Sequence, residues 1–106
     1  PTPVKCSVKL STDSVTVVQN TGSVANVGVS ILNQTAAETV EAVSSAPSQV
    51  AAAHWNGNKY VTSVSIPLNG TVQFSVASLA KNSGYTYEIQ FRSSNCTSAK
   101  LTVKVQ

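Results

Sequence analysis

Charged residues are scarce in this chain: seven Lys and Arg and four Asp and Glu make up 10% of its 106 residues, against about 25% in an average soluble domain. The cations are scattered, whereas nucleic-acid binding needs clustered cations that neutralise phosphates. We therefore expect no nucleic-acid partner. Solubility must come instead from Ser, Thr, Asn and Gln, a balance more common in exported surface proteins than in cytosolic enzymes.

Long apolar runs are also missing. No segment approaches the roughly 20 apolar residues of a membrane helix, so we expect no membrane insertion. No signal peptide is visible, and the start Pro1-Thr2-Pro3 indicates a processed chain or a linker from a longer one. The length suits a single small core. We predict a linker or N-terminal tail at residues 1–3 and one domain over residues 4–106.

Side chains that could carry out catalysis are few. The acids are Asp13, Glu38, Glu41 and Glu88, and the single histidine is His54. Glu38 and Glu41 would point to opposite faces of a strand, and Glu88 falls on the outward phase of another. The chain contains the residue types for a Ser-His-Asp triad with His54 and Asp13, but no local motif supports such a triad. The sequence indicates a protein that is not an enzyme.

Metal ligands are equally sparse. Two cysteines and one histidine cannot build a structural zinc site without other ligands, and no acidic cluster has the spacing of a calcium loop. We expect no metal and no cofactor. Cys6 and Cys96 are then either a disulfide or two buried thiols, and the disulfide is favoured. A disulfide implies an oxidising compartment, so the predicted location is extracellular or the cell surface.

What the chain does contain is β-forming sequence, with 17 Val, 11 Thr and no Met. Apolar and polar residues alternate along most of it, which is typical of half-buried strands. This alternation predicts an all-β fold of seven or eight strands, near 4–10, 14–18, 25–31, 39–43, 60–66, 72–76, 85–91 and 99–105. Residues 44–58 are predicted to be mainly a loop, and the Asn69-Gly70 pair predicts a β-hairpin.

The most specific pattern lies between Thr71 and Arg92, where two alternating runs flank a polar turn. Inward-facing side chains are predicted at Val72, Phe74, Val76, Tyr85, Tyr87, Ile89 and Phe91. A leucine, a glycine-containing turn and a tyrosine, here Leu79, Gly84 and Tyr85, resemble the tyrosine corner of immunoglobulin-like and fibronectin type III-like domains. The resemblance implies an antiparallel β-sandwich of seven to eight strands with Greek-key connections, and a Tyr85 hydroxyl bonded back to the turn.

The same resemblance bears on the cysteines. In immunoglobulin-like sandwiches the last strand commonly lies beside the first in parallel, which would bring Cys6 and Cys96 to the same end. Such a bridge differs from the inter-sheet disulfide of antibody domains, and the tryptophan that packs on that disulfide is absent. The chain is therefore most similar to immunoglobulin-like modules of cell-surface or extracellular filament proteins.

The best candidate for ligand recognition is the segment around Trp55. Trp55 and Tyr60 offer flat apolar faces with polar tips, and Asn56 and Asn58 supply donors and acceptors. These groups suit a sugar ring, which stacks on aromatic faces and hydrogen-bonds at its edge. The alternative is that Trp55 packs inward and caps one end of the sandwich, and for a lone tryptophan in a small domain we favour it.

Three sequons for N-glycosylation start at Asn33, Asn69 and Asn95. About two are expected by chance in a chain so rich in Ser and Thr, so their number alone is no enrichment. All three fall at predicted turns, where a glycan could be carried.

Three functions remain open. The leading hypothesis is a structural or adhesive module of a surface filament, pilus-like or surface-layer assembly, which associates through edge strands or with neighbouring domains of the same surface protein. The first strand could add to a neighbour's sheet, although pairing within its own domain is expected for an isolated chain. The alternatives are a carbohydrate-binding module that uses Trp55 and Tyr60, and an inert spacer of a larger secreted protein.

Overall fold

The chain folds into β-strands joined by turns, as the alternation predicts. The computed structural model describes residues 6–19 and 24–106, which form ten strands and no helix. The strands are β1 (Ser7–Leu10), β2 (Ser14–Val17), β3 (Ala25–Leu32), β4 (Glu38–Ser44), β5 (Val50–Trp55), β6 (Tyr60–Val61), β7 (Ser63–Ile66), β8 (Thr71–Ser78), β9 (Thr86–Arg92) and β10 (Ala99–Val105). The described residues thus include no helix able to span a membrane. The predicted tail at residues 1–3 lies outside them.

The strands form two five-stranded sheets. Sheet 1 has the order β1-β3-β8-β5-β6, and sheet 2 has the order β2-β10-β9-β4-β7. All ladders are antiparallel except that of β2 with β10, which is parallel. The expected parallel contact between the start and the end of the chain is confirmed, but the full ladder belongs to β2. β1 contributes only an isolated bridge from Ser7 to Thr97.

The inner faces of the two sheets enclose the core of this β-sandwich-like fold. Because strand side chains alternate between faces, every second residue of the long strands is buried or partly buried. Phe74 of β8 and Phe91 of β9 meet across the sheets, with ring centroids 5.1 Å apart and planes at 79°, an edge-to-face arrangement that aromatic rings favour. The largest fully buried side chains are Phe74, Phe91, Ile66, Ile89, Leu101, Val27, Val29, Val40, Val50, Val76 and Val103.

The segment predicted to be mainly a loop contains a strand. β5 pairs with β8 from Val50 opposite Ser78 to Ala53 opposite Ser75. The alanine run hid this strand, since alanine is depleted in strands. The sequence does contain one signal for this strand, the Gly57-Asn58 pair between the aromatic residues Trp55 and Tyr60. A two-residue loop with glycine first is a common hairpin turn, and it indicates a strand on each side. Gly57 has φ 94°, and the loop joins β5 to β6.

The strand predicted at 60–66 is divided at Thr62, which explains part of the count of ten. β6 belongs to sheet 1 and β7 to sheet 2. Between them, the Thr62 carbonyl oxygen accepts a hydrogen bond of 2.9 Å from the Ala42 amide of β4. The alternation of side chains continues through Thr62, so it gives no sign that the chain changes sheets there.

The hairpin predicted at Asn69-Gly70 is wrong, since β7 and β8 lie in different sheets. The Gly70 amide donates to the Pro67 carbonyl oxygen at 2.8 Å, and Asn69 has φ 60°. Positive φ at the third residue indicates a type II turn, which here carries the chain from sheet 2 to sheet 1. An Asn-Gly pair suits both turns, because both need a residue that tolerates positive φ.

This turn gives a testable consequence for Gly70. A Cβ atom there would lie 2.5 Å from Pro67 Cγ and 2.9 Å from its Cδ, and the proline ring has little freedom to move. Gly70→Ala is expected to lower the free energy of unfolding by about 1–3 kcal/mol, measured by urea denaturation. Gly28→Ala is the control, since its nearest contact would be 3.5 Å. Equal stability of the two variants would contradict the turn geometry.

The corner between β8 and β9 is not the expected tyrosine corner. Tyr85 is 65% exposed, so its predicted inward orientation is wrong, and its hydroxyl makes no hydrogen bond to a described residue. Leu79 is also exposed. The side chain that organises the corner is the buried Asn82, whose Oδ1 accepts a hydrogen bond of 2.6 Å from Ser78 Oγ. Gly84 supplies the positive φ, 89°, that the turn requires.

Candidate functional site

The two sheets present outer faces of different charge. The strands of sheet 1 contain one charged residue, Lys9, whereas those of sheet 2 contain six. The six are Glu38, Glu41, Glu88, Arg92, Lys100 and Lys104. Glu41 and Glu88 are exposed on sheet 2, as predicted, and Glu38 is on the opposite phase of β4 from Glu41. The outer face of sheet 1 is therefore the nearly uncharged side of the molecule.

The outer face of sheet 1 holds an apolar groove of about 340 Å³, here called the alanine groove. It is lined by Val24, Ala51, Ala53, Tyr60, Ser75, Ala77 and Leu79. Its floor consists of small side chains, because Ala51 lies opposite Ala77 and Ala53 opposite Ser75 on neighbouring strands. The larger side chains of Val24, Tyr60 and Leu79 surround this floor and form the walls of the groove.

Trp55 and Tyr60 form an aromatic pair at this groove, since Tyr60 is one of its lining residues. They are a cross-strand pair of β5 and β6, with ring centroids 5.0 Å apart and planes at 60°. Trp55 is 52% exposed and Tyr60 58%, so the favoured prediction that Trp55 packs inward is wrong. The reason is the phase of β5: Val50 and Ala52 are buried, which places Trp55 on the outer face.

The two asparagines of the predicted sugar-binding set differ in role. Asn56 Oδ1 accepts hydrogen bonds from the backbone amides of Asn58 at 2.9 Å and Lys59 at 2.8 Å. This Asx turn holds the hairpin loop, so Asn56 stabilises the structure and its oxygen is already engaged. Asn58 is exposed at the loop tip.

His54 lies on β5 rather than in the predicted loop. Its Nδ1 is 2.8 Å from the Gln73 carbonyl oxygen, and its ring centroid is 6.0 Å from that of Phe74. The side chain is partly buried at the border of the core. These contacts give it a structural role in joining β5 to β8.

The predicted disulfide between Cys6 and Cys96 is confirmed, with the two Cα atoms 4.7 Å apart. It joins the start of β1 to the turn between β9 and β10. A carboxylate oxygen of Glu38 lies within 4.8 Å of the two sulfurs. Disulfide sulfurs are not thiolates, however, and the thiolate is the form that binds metals, so this cluster is not a metal site in the oxidised protein.

The three sequon asparagines lie at the end of the sandwich that holds the disulfide. Asn33 follows β3, Asn69 precedes β8 and Asn95 lies between β9 and β10, and all three are exposed. The described residues thus show two separate features, the alanine groove with its aromatic pair and this end with its three sequons.

No protein-family model matches the chain, and a search of curated proteins finds no similar sequence.

Proposed function

We propose that this protein is a non-catalytic structural or adhesive module of an extracellular assembly, and that the outer face of sheet 1 binds a second copy of the chain. The observation that carries the proposal is the exposed Trp55–Tyr60 pair beside the alanine groove. Clustered exposed apolar side chains mark interaction surfaces, and aromatic residues contribute strongly to such contacts.

The distribution of charge favours a second copy as the partner. The chain carries a net charge of +3, which opposes self-association through long-range repulsion. The strands of sheet 1 contain one charged residue, Lys9, whereas those of sheet 2 contain three acids and three cations that sum to zero, so burial of the outer face of sheet 1 against a second copy removes the fewest charged groups from water. The confirmed disulfide supports a location outside the cell or at its surface, in line with this role.

The strand order supports an immunoglobulin-like fold for the module. In that fold one sheet has the order A-B-E-D and the other contains C-F-G. The orders β1-β3-β8-β5 and β4-β9-β10 correspond to these in chain sequence. β2, β6 and β7 are additions to the pattern, and the last two are inserted between D and E. This family is common among cell-surface domains.

Carbohydrate binding is the second candidate, favoured by the exposure of the aromatic pair. The groove offers a sugar few hydrogen-bonding groups, since Tyr60 and Ser75 are the polar side chains among the described residues that line it. Ser75 Oγ already donates to Asn26 Oδ1 at 3.0 Å. An apolar protein side chain suits this lining better than a sugar, because it leaves no hydroxyl group without a partner.

Association through sheet edges is a further proposal. The edge strands are β1 and β6 in sheet 1, and β2 and β7 in sheet 2. β1 pairs with β3 of its own chain from Ser7 opposite Leu32 to Leu10 opposite Val29, as expected for an isolated chain. Exchange of the first strand would have to break this ladder, whereas contact through the outer face of sheet 1 leaves it intact.

Two leucines of equal exposure provide a matched test. Leu79 lines the groove and is 52% exposed, whereas Leu68 lies in a turn and is 53% exposed. Leu79→Ser is expected to weaken self-association about tenfold, because it removes about 1–2 kcal/mol of apolar burial. Leu68→Ser should leave it unchanged. Sedimentation velocity over a concentration series measures both.

The outcomes separate the candidate functions. Equal effects of the two leucine variants would contradict the proposed face. A wild-type chain that stays monomeric but is retained on a glycan affinity gel, and loses retention on Trp55→Ala, would support carbohydrate binding instead. Urea denaturation of Trp55→Ala measures how far Trp55 supports the fold. Loss of this half-exposed side chain should lower the free energy of unfolding by less than about 1 kcal/mol.

A further inference from the structure

Three turns meet at one end of the sandwich, here called the disulfide pole: residues 33–37, 67–70 and 93–98. The first two are held together by Gln34. Its Nε2 donates to the Ile66 carbonyl oxygen at 2.9 Å, and its Oε1 accepts a hydrogen bond of 3.1 Å from the Asn69 amide. The third turn is fixed to the start of β1 by the Cys6–Cys96 disulfide. Each turn carries one sequon.

Asn33 and Asn69 present free side chains at this pole. Both are exposed, with φ values of 56° and 60°, a conformation typical of tight turns. Their side-chain amides make no hydrogen bond to any described residue. Attachment of a group to either amide nitrogen therefore breaks no contact of the folded domain.

Asn95 differs in both respects. Its Nδ2 donates to Glu38 Oε1 at 3.0 Å. The middle residue of its sequon is Cys96, which is buried and disulfide-bonded. A substituent on Nδ2 would replace one of its two hydrogens and would have to fit beside Glu38 Oε1, in a turn that the disulfide fixes to the start of β1.

We propose that the disulfide pole is the glycan-bearing surface of the domain, with N-linked oligosaccharides on Asn33 and Asn69 and none on Asn95. In the reaction, the Asn side-chain nitrogen forms a bond to the anomeric carbon of a lipid-linked oligosaccharide. The bond from that carbon to the lipid phosphate breaks, the phosphate leaves with the bonding electrons, and the amide loses one proton. This proposal is independent of the groove, which lies on the outer face of sheet 1 and not at the pole.

Trypsin separates the three sites. Cleavage after Lys and Arg places Asn33 in the peptide 10–59, Asn69 in 60–81 and Asn95 in 93–100, with one sequon in each. The protein is isolated from its natural source, digested under reducing conditions, and analysed by mass spectrometry before and after enzymatic glycan release in heavy-oxygen water. We expect glycan on the first two peptides and none on the third. Unmodified Asn33 and Asn69, or a glycan on Asn95, would overturn the proposal.

Sequon variants secreted from a eukaryotic host give a second measurement. Thr35→Ala and Thr71→Ala should each remove one glycan, whereas Thr35→Ser and Thr71→Ser should retain it. A sequon appended after Gln106 reports that the host modifies the chain. If that added site is occupied while Asn33 and Asn69 are bare, the proposal is wrong.

Discussion

Removal of the Cys6–Cys96 disulfide is expected to lower the free energy of unfolding by about 4–5 kcal/mol. The bridge closes a loop with 89 residues between its ends (96 − 6 − 1), so it restricts nearly the whole unfolded chain. Urea denaturation of Cys6→Ala/Cys96→Ala, compared with the oxidised protein, measures the loss. For a domain of this size the loss is a large part of the total stability.

The native contacts around the bridge explain why the effect should arise mainly in the unfolded state. The Thr97 amide donates to the Cys6 carbonyl oxygen at 3.0 Å, and the Val8 amide donates to Thr97 at 2.8 Å. These bonds keep the two segments together without the sulfurs. The variant should therefore fold to the same structure, and a loss below about 1 kcal/mol would contradict the entropic argument.

Truncation of Phe91 is expected to cost about 3–5 kcal/mol. Phe91 is fully buried and packs edge to face on Phe74 of the other sheet, so Phe91→Ala leaves a cavity between the sheets. Tyr85→Ala is the aromatic control, since Tyr85 is largely exposed and should cost less than about 1 kcal/mol. Thermal and urea unfolding of both variants provide the comparison.

The Tyr85 control separates two accounts of the corner. If the tyrosine anchored this corner as it does in immunoglobulin-like domains, its removal would cost as much as that of a core residue. A loss of about 3 kcal/mol or more at Tyr85 would thus contradict the exposed position described above. If Tyr85 were the anchor, Asn82→Ala should lower the free energy of unfolding less than Tyr85→Ala does. The structure predicts the reverse, because Asn82 is buried and hydrogen-bonded whereas Tyr85 is exposed.

The sequence predicts well those strands whose alternation is both long and regular. In β3, β8 and β10, the residues that the alternation predicts to face inward are buried or partly buried. Each of these strands lies between two neighbouring strands of its sheet. The disulfide was also predictable, because two cysteines and almost no other metal ligands leave few alternatives.

The failures share a physical cause: the deciding contacts are distant in sequence. Asn69-Gly70 allows positive φ in either kind of turn, and only the pairing of β7 with β4 and of β8 with β3 decides which one forms. Thr62 continues the alternation, although the next strand belongs to another sheet. A local pattern shows which side chains of a strand share a face, but it does not show which other strand pairs with it.

The candidate site shows the same division. Trp55 and Tyr60 were recognisable from the sequence as groups suited to binding, but the direction of Trp55 was not, because the alanines before it gave no clear phase. The groove itself was missed. It forms only because β5 pairs with β8, which places Ala51 opposite Ala77 and brings Leu79 to its wall.

The most direct test of the proposed contact face is concentration-dependent NMR of the wild-type domain. Amide shifts recorded from micromolar to about 1 mM protein report the residues that enter an interface, since millimolar samples reveal even weak association. We predict that the shifts change on the outer face of sheet 1, at Ala51, Ala53, Tyr60, Ala77 and Leu79. Shifts confined to sheet 2, or no shifts across the range, would contradict the account.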